Sequence, residues 1–257
     1  MKKLILITAV SISILITGCA ASNTAKQDTP TPQVSAVAET QTLEASPATS
    51  GEKTSAQPGV QPYTITTAIY SQDNIKVQYP QLEGMADSSK EKAVNALIKN
   101  DVLNSQVEEP IKSYQDDSGA PLKLTLDLVY KVTMYTWELF SVYYTGNSYI
   151  EGGAHPNRNF YATTIDLNKI TKLSLSDFTT IDTALVQKIK HSTEITETIE
   201  GMDSSVLIPF FQSEDDQIML QELQDQNAYF YITPDSLAIC VYVPHALGDY
   251  AVINFPR

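Results

Sequence analysis

Apolar and polar residues alternate over residues 122–130, and the alternation continues to about Tyr135. This period of two predicts a strand with one buried face. Two more strand-like runs follow at residues 139–144 and 159–167, and the connections between the three runs are too short to hold a helix. Strands joined by short connections pair in antiparallel fashion. The centre of the chain is therefore predicted to be an antiparallel meander, around which any fold has to be built.

Further strands are predicted on both sides of the meander. Residues 63–70 and 75–79 alternate on either side of a short polar turn, which predicts a hairpin. Three late runs are also strand-like, at residues 228–232, 237–243 and 250–255. Strands are therefore expected to make up most of the regular structure.

Three segments carry apolar residues at helical spacing. The first covers residues 88 to about 107, and Ser88 with Glu91 predicts a capping box at its start. The second covers residues 181 to about 200, and the third covers residues 206–224. Strands in the majority with two to three helices predict an α+β domain, in which the helices pack on an antiparallel sheet.

Residues 1–19 are typical of an export signal, with two lysines, an apolar run and the ending Thr17-Gly18-Cys19. One interpretation is an ordinary secretory signal in which the cysteine is incidental. The ending also resembles the lipobox of bacterial lipoproteins, and that resemblance implies cleavage before Cys19 and attachment of lipid to its sulfur. We favour the lipoprotein, anchored stably by more than one acyl chain on the extracytoplasmic face of the cell membrane.

Residues 20–62 are rich in Ala, Ser, Thr, Gln and Pro and contain almost no large apolar side chains. Such a segment buries too little surface to offset the entropy lost on ordering. It is predicted to be a disordered tether that holds the α+β domain, residues 63–257, away from the membrane. The pattern also allows a sub-boundary near residue 150.

The formal net charge is −13. The leader is slightly basic and residues 20–60 are equally slightly acidic, so this charge falls on residues 61–257. An acidic domain is not expected to bind nucleic acid, because it has no cation cluster that could release the counterions of the phosphates. It attracts cationic partners. A simpler interpretation is that the charge only keeps an exported protein soluble.

No catalytic, metal-binding or cofactor motif is recognisable in the sequence. The three histidines, His155, His191 and His245, lack the paired spacing of metal ligands. Cys240 lies in an apolar strand-like run and is expected to be a small buried side chain. The only other cysteine is Cys19 in the signal, which excludes a disulfide within the mature domain. We therefore expect no metal, no cofactor and no catalytic residues, and we favour binding over catalysis.

The turn Gly152-Gly153-Ala154-His155-Pro156-Asn157 interrupts the meander and is the first candidate for a binding site. His155 either donates hydrogen bonds to a partner or locks the turn by bonding a neighbouring strand, while the two glycines supply positive φ angles. Tyrosines nearby suit a recognition surface, since they combine large area with a polar tip, but they are equally ordinary on a sheet. The candidate binding residues are Tyr144, Tyr149, Glu151, His155 and Asn157.

This turn also carries a resemblance to a known family, together with the segments at residues 165–178, 230–237 and 250–251. The family consists of bacterial extracytoplasmic domains. It includes the lysozyme-sensing part of the anti-sigma factor RsiV and the non-catalytic N-terminal region of the peptidoglycan deacetylase PdaC. The resemblance covers residues 63–257 and implies an envelope-binding domain, with c-type lysozyme as one partner known in the family.

Two functions are expected as the main alternatives, and a third possibility is a structural or scaffolding lipoprotein with no soluble ligand. The first is a membrane-anchored lipoprotein that recognises a cell-envelope protein, such as a cationic lysozyme-like hydrolase. The second is an enzyme that acts on peptidoglycan, or an accessory module of a deacetylase. Anti-sigma activity is not expected, because a lipid anchor does not reach the cytoplasm. Deacetylation by this chain is not expected either, because its histidines are scattered.

Overall fold

Ten strands lie in the residues that the computed structural model describes, which are 63–115, 119–196, 204–225 and 228–257. The first sheet consists of β1 Thr64–Gln72, β2 Ile75–Glu83, β3 Leu124–Tyr135, β4 Leu139–Ile150, β5 Asn157–Asp166 and β6 Thr171–Lys172, in that spatial order. The second sheet consists of β7 Ile195–Thr196, β8 Phe230–Ile232, β9 Ser236–Tyr242 and β10 Tyr250–Pro256, in the spatial order β7-β10-β9-β8.

Five α-helices lie in the same described residues, and they pack on the two sheets separately. They are α1 Ser88–Leu103, α2 Glu109–Ser113, α3 Thr183–Lys190, α4 Leu207–Ser213 and α5 Asp216–Gln224. One π-helical turn, Asn104–Glu108, joins α1 to α2. The α+β class is confirmed, and the strands are divided between two sheets.

The predicted hairpin and meander are both confirmed. β1 and β2 pair antiparallel, as do β3, β4 and β5 in sequence. β2 and β3 pair in parallel, because the chain crosses over between them through α1 and α2. The predicted sub-boundary near residue 150 falls inside the β4–β5 hairpin.

Asp87 caps α1 in place of the predicted Ser88. Its carboxylate accepts hydrogen bonds from two first-turn amides, at 2.8 and 3.1 Å. Glu91 accepts from the amide of Met85 at 2.9 Å, upstream of the cap. The predicted capping box is therefore wrong, because an aspartate one position earlier is also a strong N-cap and its charge suits the helix N-terminus.

The second predicted helix is also shorter than expected. α3 ends at Lys190, and Ile195 pairs with Ile253 of β10 as part of β7. The last residues of that predicted helix, 197–200, lie outside the described residues. The helix predicted over residues 206–224 is two helices, α4 and α5. The Asp215 side chain caps the N-terminus of α5 and so begins a second helix.

Three apolar cores follow from the alternation of side chains along the strands. Tyr144 of β4 belongs to the core between the first sheet and α1, whereas Tyr143 belongs to the core between the two sheets. Likewise Ile239 of β9 packs with α3–α5, and Cys240 faces the first sheet. Successive residues of a strand point to opposite faces. The order of layers is therefore helix, sheet, sheet, helix.

A buried hydroxyl links the two sheets. The Ser141 hydroxyl of β4 accepts from the amide of Ile232 in β8 at 3.1 Å. It is also 2.8 Å from the Thr164 hydroxyl of β5. Ser141 and Thr164 are both buried, so these bonds satisfy polar groups that water cannot reach.

Gly146 of β4 lies too close to β3 to carry a side chain. It pairs with Leu128, and a Cβ at this position would stand 1.8 Å from the carbonyl oxygen of Asp127. No side chain fits there, because such a contact is far inside van der Waals distance. The pairing of these two strands therefore depends on a glycine at position 146.

The predicted signal, the lipid site at Cys19 and the tether over residues 20–62 lie outside the described residues. Within the part of the chain that the structure describes, no helix is long and apolar enough to cross a membrane.

Candidate functional site

The predicted turn between β4 and β5 is held by its own backbone. Gly152 has a φ of +85°, which a residue with a side chain rarely adopts. Gly153 donates its amide to the Ile150 carbonyl at 2.8 Å and accepts from the Tyr149 hydroxyl at 3.2 Å. The expected positive φ is confirmed at Gly152 and is wrong at Gly153, which has no such angle.

His155 contacts a turn of the second sheet. Its ring stacks on the ring of His245, with centroids 3.5 Å apart and an interplanar angle of 8°. Its Nδ1 lies 3.2 Å from the carbonyl of Pro156, and Nδ1 of His245 lies 2.9 Å from the Asp249 carboxylate. The stack therefore joins the loop before β5 to the loop before β10.

Arg158, near the start of β5, also contacts the loop before β10. Its amide donates to the Asp249 carboxylate at 2.7 Å, and its guanidinium donates to the Gly248 carbonyl at 3.1 Å. The guanidinium also lies over the Tyr250 ring, 4.7 Å from the centroid. Because His155 and Arg158 both contact the loop at 245–250, this corner of the molecule is a structural junction between the sheets.

The structure does not bring all the predicted site residues together. Glu151 is exposed and lies 3.5 Å from Lys123, and Asn157 is exposed at the start of β5. Tyr149 is half-buried against the turn. Tyr144 has none of its surface exposed and belongs to the core, so its inclusion in a binding surface is corrected. It is buried because even-numbered residues of β4 face α1.

A polar network that the sequence did not suggest lies beside Tyr144. The Asp101 carboxylate of α1 accepts from the hydroxyls of Tyr161, at 2.5 Å, and of Thr163. Lys172 of β6 lies 3.1 Å from the same carboxylate. Burial, together with the charge of Asp101, raises the pKa of the Tyr161 phenol above its ordinary value. The network pairs its charges internally, so its role is structural.

A groove of about 360 Å³ opens between α4, α5 and the end of β9. Its walls are largely apolar, from Phe210, Met219, Leu223, Val241 and Val243. Tyr242 stands at its edge with 57% of its surface exposed. Three carboxylates also line it, those of Glu214, Glu222 and Asp225. We call this feature the acidic groove.

In the part of the chain that the structure describes, the three carboxylates of the acidic groove form no ion pair. Burial raises the pKa of Glu222 above its ordinary value, and the negative charge of Glu214 raises it further. The nearby Lys190 is already occupied, since its ammonium lies 2.6 Å from both the Asp216 carboxylate and the Glu214 carbonyl. The groove therefore holds negative charge that this lysine does not neutralise.

The sequence shows the same imbalance over a longer range. Between Lys190 and Arg257 there is no lysine or arginine, although aspartate and glutamate recur throughout this stretch. The negative charge of the domain is thus concentrated in the half of the chain that builds the second sheet. The acidic groove could have been predicted from this uneven distribution of charge along the sequence. The overall charge of −13 does not show the uneven distribution.

The fold and the groove together define a class: a two-sheet α+β protein with an open, partly apolar, acidic recess. Among the described residues, no group of three or more His, Cys, Asp or Glu side chains is arranged to hold a metal ion. What the recess can do chemically is bind an apolar group beside a cation.

Comparison with known proteins gives a partial match to one family. A family model described as "Deacetylase PdaC" matches residues 66–158. The match begins in β1 and ends in β5, and it covers less than half of the 257 residues. The acidic groove, which is built from residues 210–244, lies outside the matched segment. No curated protein matches the chain.

Two crystal structures show a weak overall likeness. A member of the DUF3298 family from Bacteroides fragilis is 15% identical, over 77% of this chain and 92% of that chain, with a TM-score of 0.45. A DUF3298 family protein from Pseudomonas aeruginosa PAO1 is 12% identical, over 77% of this chain and 91% of that chain, with a TM-score of 0.41. A likeness of this degree carries no argument about function.

Proposed function

We propose that this chain is a lipid-anchored extracytoplasmic protein that binds a cationic protein of the cell envelope, such as a lysozyme-like hydrolase. The observation that carries the proposal is the absence of lysine and arginine between Lys190 and Arg257, a stretch in which acidic residues recur. A surface of one sign attracts partners of the opposite sign and speeds their encounter.

The binding proposal is tested by calorimetric titration of the full chain, in a nonionic detergent, with c-type lysozyme. We expect saturable binding that weakens strongly between low and moderate salt, since screening shortens the range of charge attraction. Cytochrome c, which is also cationic, serves as the control for unspecific attraction. Equal binding of both proteins would reduce the proposal to general charge attraction, and no binding of lysozyme would remove that partner.

The anchoring proposal rests on the signal that ends at Cys19. Replacement of this residue, Cys19→Ser, removes the sulfur to which lipid attaches. We expect the variant to leave the membrane fraction, because the lipid chains supply the anchoring free energy. Retention of Cys19→Ser in that fraction after a high-salt wash would contradict a lipid anchor.

A second candidate function is an accessory module of a peptidoglycan deacetylase, or an enzyme acting on peptidoglycan itself. The match of residues 66–158 to the PdaC family model favours it. The test is binding and turnover of purified cell-wall fragments by the full chain and by His155→Ala. Loss of turnover in a folded His155→Ala protein would support catalysis, and unchanged turnover would remove His155 from a catalytic role.

A further inference from the structure

We propose that the acidic groove is the docking site for one segment of a cationic partner protein, a segment that inserts an apolar side chain flanked by lysine or arginine. This inference rests on the proposed function and assigns it a place on the molecule. The partner segment has two features, an apolar side chain and a flanking cation. Each feature is complementary to a different part of the groove.

The apolar wall of the groove defines the first feature. Its volume of about 360 Å³ is in the range of pockets that bury one side chain or a small ligand. Phe210 is only half-buried, whereas Met219 and Val243 are buried, and all three belong to the core of the second sheet. An inserted leucine or phenylalanine would cover the part of Phe210 that now faces water.

The rim of the groove defines the second feature. Glu214, Glu222 and Asp225 line it, and Glu222 is close enough to Glu214 to feel its charge. Two carboxylates held together repel each other unless a cation lies between them. The Lys190 ammonium, which contacts Glu214, already binds the Asp216 carboxylate and the Glu214 backbone carbonyl. A cation from outside the chain would relieve this repulsion.

Tyr242 adds a further reason to expect a cation. The residue is 57% exposed and lines the groove, and the ring of Tyr229 packs edge-on against its ring, with centroids 6.4 Å apart. A supported aromatic face beside carboxylates is a favourable place for a guanidinium or ammonium group, which is attracted to both. Tyr242, Glu214 and Glu222 thus form one cation-binding edge along an apolar recess.

Charge also argues against a second copy of this chain as the occupant. Both partners would then bring the stretch between Lys190 and Arg257, which holds acidic residues and no lysine or arginine, and like charges that face each other at an interface oppose binding. A partner with opposite charge gains from the same arrangement. The structure therefore favours a heterologous cationic segment.

The test uses the full chain in nonionic detergent and a short synthetic peptide that carries phenylalanine between lysines. Two matched peptides replace the lysines with glutamine or the phenylalanine with serine. We expect saturable binding of the first peptide alone, measured by fluorescence anisotropy of a labelled N-terminus. Equal binding of the glutamine peptide would overturn the role of charge, and equal binding of the serine peptide would overturn the apolar insertion.

Substitutions in the groove test whether the peptide binds there. The double substitution Glu214→Gln/Glu222→Gln should weaken binding of the peptide about five- to tenfold, which corresponds to about 0.5–0.7 kcal/mol for each of the two exposed ion pairs that are lost. The control Glu108→Gln/Glu109→Gln changes the net charge equally at the start of α2, where both carboxylates contact Lys112. It should change the affinity less than about twofold. Equal losses in both double variants would overturn the groove as the site.

Two further outcomes separate this inference from the proposed function. If lysozyme binds and Glu214→Gln/Glu222→Gln leaves that binding unchanged, the groove is overturned while the proposed function stands. If the lysine peptide binds at the groove and lysozyme does not bind, the groove stands and the partner is wrong. Thermal unfolding of each variant confirms that it is folded. Sedimentation that shows self-association lost in the groove variant would make a second copy the occupant and overturn the inference.

Discussion

Asp101 and Glu222 are both carboxylates beside an apolar core, and their surroundings differ. Asp101, on the first sheet's side, accepts from two hydroxyls and lies 3.1 Å from Lys172. Glu222, on the second sheet's side, lies beside another carboxylate in an open groove. The first arrangement is complete within the chain, whereas the second sets two carboxylates side by side without an ion pair. Under the proposed function, the second arrangement is the one that a cationic partner completes.

The largest expected effect tests whether the two halves are one cooperative unit. Leu128→Ala in the first sheet and Ile239→Ala in the second should each lower the free energy of unfolding by about 3 kcal/mol, since both side chains are fully buried. Urea unfolding is followed by circular dichroism and by the fluorescence of Trp137, which lies between β3 and β4. Both signals should move together in both variants. A fluorescence transition that Ile239→Ala leaves in place would show that the halves unfold separately.

The next effect concerns the closed network of the first half. Asp101→Ala removes the carboxylate that accepts from the Tyr161 and Thr163 hydroxyls, and it should lower the free energy of unfolding by about 2 kcal/mol. This loss is smaller than the loss expected on breaking a fully buried ion pair, because 38% of the Lys172 side chain is exposed. The control Asp127→Ala removes an exposed carboxylate of β3 and should cost less than about 0.5 kcal/mol. If the two variants lost similar free energies of unfolding, the network would not contribute specifically to the stability of the first half.

A smaller effect tests the bond between the halves. Ser141→Ala leaves the Ile232 amide without its hydroxyl partner in a buried position, and it should cost about 1–2 kcal/mol in urea unfolding. Thr164→Val keeps that amide bonded to Ser141 and should cost less. If Thr164→Val proves the more damaging change, the bond to the Ile232 amide contributes little to holding the sheets together.

The smallest effect tests the open groove of the second half. Because the pKa of Glu222 is raised in the folded protein, ionisation of this group opposes folding as pH rises above its ordinary value of 4.5. Glu222→Gln should therefore stabilise the protein at pH 7, by less than about 0.5 kcal/mol, and should have no such benefit below about pH 4. Glu138→Gln, at an exposed turn, is the control and should show no pH-dependent gain. A destabilised Glu222→Gln protein at pH 7 would mean that the carboxylate is satisfied within the chain.

The strands of the first sheet could be predicted from the sequence because their alternation is local. β3, β4 and β5 all show it, and their short connections fix the antiparallel pairing. The parallel pairing of β2 with β3 could not be predicted in the same way. A helical crossover separates the two strands, and nothing local specifies which strand the chain rejoins.

The second half was harder to predict for two physical reasons. Ile195 fits both a helical spacing and a β-strand, and its pairing with Ile253, far away in sequence, decided the outcome. The acidic groove combines Phe210 with Val243, which only tertiary packing brings together. The histidine turn, by contrast, was visible as a motif, but its stacking on His245 was not.

Gly146 has a consequence for how variation in this protein is to be interpreted. If a library of variants were selected for function, substitutions at position 146 would be lost, because any added Cβ would lie 1.8 Å from the Asp127 carbonyl oxygen. This intolerance would resemble that of a binding residue, although Gly146 is not among the residues that line the groove. Substitutions at Glu214 and Glu222 would instead survive a selection for folding and fail only one for binding. Two selections on one library would thus tell architecture from recognition, position by position.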